Sequence, residues 1–382
     1  SKEISNFIQY PENPEYVKWF AIIIGLDAIS SISFAKLRQQ NKAFRFAYIK
    51  LINILFNIGF LLFFIVICPN SSSEFIQSIY DKNIGVGYVF ISNLIASILT
   101  IVMLMPEMIK CSWSFDKDLW KKLMIYSLPL LFASLAGIIN ETFDKILLKH
   151  FLINMSPEKI MSEIGIYGAL YKISIIMTLF IQAFRYAAEP FFFAYEEKKD
   201  SKETYASLMK YFIIITSIIF LITTIYYDLI KHFVGEDFRD DRGFLIVSIL
   251  LFANLLLGIY YNLSIWYKLS EKTIYGAYLS FFGAIITITL NIILIPKIGI
   301  IGSSLATVIC YLSMTIYSYY LGSKHYPINY PIKEILSYLG FVILIYICSQ
   351  YILDFGMIIN TVYIVIFVLV AIILERSKIK AS

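Results

Sequence analysis

The chain has 382 residues, of which 59% are hydrophobic and only 15% charged, with a net charge of +5 and a mean hydropathy of +0.74. That is far too apolar for a water-soluble domain of this length. The composition leaves an all-α polytopic membrane protein, and the four cysteines and three histidines have spacings that suggest neither metal chemistry nor a catalytic dyad.

In chain order, eleven apolar segments are long enough to span a bilayer at about 20 residues each: 16–35, 43–67, 84–105, 123–149, 164–194, 205–230, 243–267, 273–295, 299–321, 333–352 and 357–374. None shows the sustained alternation of an outer-membrane strand, so helices are predicted throughout. Lys36, Arg38, Lys42 and Arg45 begin a series of basic connections that continues with Lys117, Lys121 and Lys122, with Lys198, Lys199 and Lys202, and with the tail residues Arg376, Lys378 and Lys380. The alternate connections are poorer in Lys and Arg. By the positive-inside rule the C-terminus is cytoplasmic and Ser1 lies outside.

An internal repeat sets the expected domain plan. The passage from Phe34 to Phe60 resembles that from Trp266 to Leu294, and each leads to a segment opening on similar glycines, Gly85 and Gly87 in one case and Gly299 and Gly302 in the other. The first helix then corresponds to the seventh, which implies two six-helix lobes. Residues 1–122 are expected to hold the remaining half of the first lobe, with about three helices preceding Ser1. The second lobe is expected over 123–322, and two additional helices and a cytoplasmic tail over 323–382.

Charged residues inside the fourth and fifth segments are the candidate site, because a charge in lipid costs a few kcal/mol and normally faces a bundle interior or a wet cavity. Asn140, Glu141, Asp144, Lys145 and Lys149 share one half of the fourth helix. Glu141 with Lys145, and Arg185 with Glu189, are spaced i, i+4, which suits either mutual neutralisation or contact with a substrate; Lys149 is placed to snorkel to the interface. Lys50 and Lys172 have no acidic residue three or four positions away. Lys50 shares its face with Asn53 and Asn57, so that Lys50, Lys145, Lys172 and Arg185 form a candidate cationic substrate site supported by Asn53, Asn57, Glu141, Asp144 and Glu189. Asp27, in the middle of the first helix, is a candidate proton or sodium site. Gly276, Ser280, Ala284, Thr287 and Asn291 line one face of the eighth segment and read as a packing seam.

The run from Asn140 to Leu152, that from Glu163 to Phe193 and the passage from Leu290 to Leu312 together resemble the oligosaccharide flippases of the O-antigen (Wzx-type) branch of the multidrug/oligosaccharidyl-lipid/polysaccharide exporter superfamily. The resemblance implies a non-enzymatic transporter of the bacterial inner membrane. Its cargo would be an undecaprenyl-diphosphate-linked oligosaccharide for surface polysaccharide synthesis, moved to the periplasmic leaflet by alternating access. The partners implied are membrane lipids, polymerase or glycosyltransferase machinery, and H+ or Na+, with no nucleic acid. The cationic residues would face the substrate's diphosphate and sugar acids. Alternatives are a lipid II flippase or a drug/cation antiporter of the same superfamily and, least favoured, a polysaccharide polymerase or ligase. There is no P-loop sequence, and no cofactor is called for.

Overall fold

A chain this apolar must satisfy its backbone hydrogen bonds internally, and the computed structural model does so with helices. The structure describes residues 14–71, 73–109, 115–152, 155–352 and 356–379, and among these there is no strand. Every one of the eleven apolar segments coincides with a helix. Eight helices among the described residues are long and apolar enough to cross a membrane. The chain is a multi-pass membrane protein that divides into two compact units, Ser1–Phe115 and Asp116–Ser382.

The first unit contains α1 (Pro14–Gln39), α2 (Ala43–Leu62) and α3 (Gly87–Ile109). Both α1 and α2 pack on α3, whose buried face of Ser92, Ala96, Ser97 and Thr100 is small enough to let backbones approach closely. Phe34, Leu37, Ile49 and Leu104 form a core at one end, where Arg45 Nε meets Glu107 Oε1 at 2.6 Å. Beyond α2 a π-helical turn, Phe63–Ile67, leads into Pro69.

The second unit begins with two helices whose starts are written locally. The Asp116 side chain caps α4 (Lys117–Phe151) by accepting from the Asp118 and Leu119 amides. Ser156 caps α5 (Pro157–Tyr195), with Pro157 and Glu158 in the first turn; a hydroxyl or carboxylate cap, an early proline and an acid at the positive end of the helix dipole all favour initiation. At about 1.5 Å per residue α4 exceeds the roughly 30 Å hydrocarbon core. After α6 (Ser201–Ile225) comes α7 (Gly243–Leu263), the most buried helix of the unit, which packs on α5, α6 and α8 (Ile274–His325). The appended helices α9 (Ile332–Ile347) and α10 (Met357–Ile379) both pack on α6. Lys210 Nζ on α6 fastens them, reaching Glu375 at 2.6 Å and Glu334 at 3.7 Å.

Helix α8 is two arms, 274–297 and 300–325, broken at Ile298 and Gly299. Gly299 adopts φ +60°, a conformation that costs a residue with a Cβ. Gly302 lies so close to the other arm that a Cβ would stand 2.6 Å from the Leu294 carbonyl oxygen. Backbone cannot rotate aside as a side chain can, so Gly302→Ala should destabilise the unit by about 1–3 kcal/mol. Thermal unfolding of the protein in detergent would measure it, and an unchanged melting temperature would show that the two arms separate freely.

Candidate functional site

The charged stripe of α4 does not act as one surface, because neighbouring residues on a helix point about 100° apart. Asp144 is only 1% exposed and turns into the helix interface, where Tyr167 on α5 donates its hydroxyl to Oδ2 at 2.7 Å. Lys145 takes a different partner on the same helix, Tyr171. Its Nζ sits 4.9 Å from the centre of the Tyr171 ring, and it lines a cavity of about 860 Å³ that also contains Lys172. The walls are mainly apolar and include Ile164 and Ile176 from α5, with Phe233 and Phe238 from the segment after α6. Lys172 is exposed and, among the described residues, forms no salt bridge. Two ammonium groups therefore share one apolar-walled space, the arrangement suited to an anionic head on a greasy molecule.

A second cavity, of about 360 Å³, lies among α4, α5, α7 and α8. It brings in Arg185 and Glu189, spaced as predicted, with Nη2 and Oε1 3.7 Å apart. Lys268, which follows directly on the seventh apolar segment (243–267) and so falls by sequence in a connection, is drawn into this cavity by the short helix Ile265–Leu269 and donates to Glu189 Oε1. The sequence signal that could have marked Lys268 for that place is the adjacent aromatic pair Trp266 and Tyr267, which anchors the short helix in the core.

In the first unit, Lys50 is exposed, with its Nζ 4.5 Å from the Phe34 ring centre. Asn53 has committed its amide to α3, donating to the Thr100 hydroxyl at 2.8 Å and the Ala96 carbonyl at 3.2 Å, and Asn57 is half-buried. Asp27 is exposed and accepts from the Ser97 hydroxyl at 2.9 Å. The side chains of Asn140 and Glu141 lie outside the described residues. Among the described residues there is no cluster of metal-ligating side chains.

A further network joins positions far apart in the chain. Arg242 makes a two-pronged bond to Glu163, at 2.9 and 3.1 Å, and also grips Asp240 at the mouth of α7. The Arg242 guanidinium holds the Asp240 carboxyl below its usual range. The bridge ties the first turns of α5 to the connection that leads into α7 and gives them a fixed geometry.

No protein-family model and no curated protein sequence matches the chain. Its fold matches a solved structure described as the lipid II flippase MurJ in an inward closed conformation, with a TM-score of 0.51 over 95% of this chain and 75% of that one. The fold is similar to that of a lipid II flippase. Identity to MurJ is 19%, so the likeness carries the fold and not the cargo. The fold match accords with the helical membrane architecture read from the sequence.

Proposed function

We propose that this protein is a flippase that moves an undecaprenyl-diphosphate-linked oligosaccharide from the cytoplasmic to the periplasmic leaflet of a bacterial inner membrane, for surface polysaccharide synthesis. The observation that carries the reading is the pairing of Lys145 and Lys172 on one apolar-walled cavity. Ammonium groups hold diphosphate oxygens by charge-assisted hydrogen bonds, the apolar wall tolerates the first part of the polyprenyl tail, and no covalent step is required. Lys50 and Arg185 supply further positive charge, Asp144 and Glu189 support their helices, and Asp27 is the proposed place of H+ or Na+ coupling. Alternating access provides the movement, and membrane lipids and polysaccharide-building enzymes are the proposed neighbours.

A drug/cation antiporter would need acids where this cavity has lysines. The lipid II reading is favoured by one observation, the similarity to MurJ, and shares the lipid-diphosphate head. Proteoliposomes containing the protein and fluorescent lipid-diphosphate carriers separate the two. Translocation of a carrier bearing an oligosaccharide repeat, with lipid II left behind, is the expected result. Transfer of lipid II alone would assign the second reading, and transfer of neither would remove both.

A further inference from the structure

The connection between α1 and α2 is a short turn held by its own backbone. Asn41 takes the left-handed conformation at φ +55°, and the Lys42 and Asn41 amides reach back to the Leu37 and Arg38 carbonyls, which closes the end of α1 as a Schellman motif. The turn gathers Lys36, Arg38, Lys42 and Arg45 at one end of the first unit, in a stretch with no Asp or Glu between Asp27 and Glu74. Glu107 on α3 pairs with Arg45, and Lys36 donates to the Glu107 backbone carbonyl. Arg38 lies with its Cζ 6.0 Å from the centre of the Phe46 ring. Lys42 is exposed and, among the described residues, forms no salt bridge.

Large apolar surface stands beside these charges. Phe44 is 95% exposed and Tyr48 61%. With Leu51, Leu55, Ile58 and Leu62, all exposed, they recur at alternating spacings of four and three residues and so form one continuous stripe along α2. On a spanning helix such a stripe faces acyl chains. The helical run Ala43–Asn70 has 28 residues, about 42 Å at 1.5 Å per residue, against a hydrocarbon core of roughly 30 Å. About one turn at each end therefore stands at headgroup level, and Phe44 and the cations that flank it are in that turn.

We infer that the α1–α2 hairpin docks an anionic phospholipid of the adjoining leaflet. Phe44 and Tyr48 lie against the top of its acyl chains, while Lys42 and Arg38 attract its phosphate and headgroup charge. Basic side chains next to a spanning helix draw acidic lipid over a distance set by the Debye length, and aromatic rings settle at the same depth. A protein partner in water would use the charges but gain nothing from a stripe that runs on into the acyl region; a lipid uses both at once. The inference rests on the membrane architecture and is independent of the cargo.

The test places a tryptophan at the tip of the full chain, Phe44→Trp, in nanodiscs of phosphatidylcholine and phosphatidylglycerol. Two preparations of identical composition are compared, one with bromine on the acyl chains of the neutral lipid and one with bromine on those of the acidic lipid, and the wild-type emission is subtracted from each. Per mole of brominated lipid, the acidic one should quench the added tryptophan at least about threefold more, and high salt should reduce that preference. Lys42→Glu should bring the two lipids to equal quenching, and Arg38→Gln should lower the preference as well. Since Arg38 packs on Phe46, Lys42→Glu at its exposed position decides the matter if Arg38→Gln fails to fold. Equal quenching with the hairpin charges intact, or a preference that survives Lys42→Glu, overturns the docking. So does emission typical of a water-exposed indole with no quenching by either lipid, which would assign the tip to a partner in the aqueous phase.

Discussion

On the proposed function, replacing Lys145 and Lys172 together with alanine should reduce export of the lipid-linked oligosaccharide about a hundredfold while leaving the amount of protein in the membrane unchanged. Each lysine would lose a charge-assisted contact with the diphosphate, and such contacts contribute about 1.5–3 kcal/mol each, so two of them exceed the roughly 2.7 kcal/mol that corresponds to that factor. The fold has little to lose. Lys172 is exposed, and the Lys145–Tyr171 contact is of a kind that contributes about 0.5–1 kcal/mol where it is solvated. Surface polysaccharide and protein abundance are measured side by side. Normal export by the double variant would detach the function from this cavity and leave it resting on resemblance and fold.

Asp144, one position before Lys145, should behave in the opposite way. Asp144→Leu is expected to destabilise the second unit by about 1–3 kcal/mol, because it leaves the fully buried Tyr167 hydroxyl without the carboxylate it now donates to. Tyr167→Phe removes the other half of the pair and should also destabilise. The double variant should lose less than the sum of the two, by about 0.5–3 kcal/mol, since residues in one hydrogen-bonded pair are not independent. Thermal unfolding in detergent of the four proteins gives the coupling directly. Strict additivity would mean that Asp144 is stabilised by something other than Tyr167.

These opposite expectations for adjacent residues mark the boundary of what could be read without coordinates. The helical membrane class and the presence of a costly charged region were legible, because lipid offers no backbone partners and penalises every ion placed in it, so apolar length and intramembrane charge are conspicuous in one dimension. The starts of α4 and α5 are set locally by Asp116 and by Ser156 with Pro157, but the apolar segments 123–149 and 164–194 begin later because hydropathy does not register the polar first turns of these helices. The direction each charge faces was not legible. Whether a residue on a charged stripe meets a cavity or a neighbouring helix depends on what stands opposite, and Tyr167, which claims Asp144, lies 23 residues further on. Asn53 reads as a donor beside Lys50, yet its amide is consumed by Ala96 and Thr100 across the helix pair. Lys268 reads as a loop cation until the buried Trp266 and Tyr267 carry it under α5 to Glu189, 79 residues away. Bilayer physics acts on composition and is therefore visible in the sequence, whereas hydrogen-bond partners chosen across packed helices exist only after the helices have met.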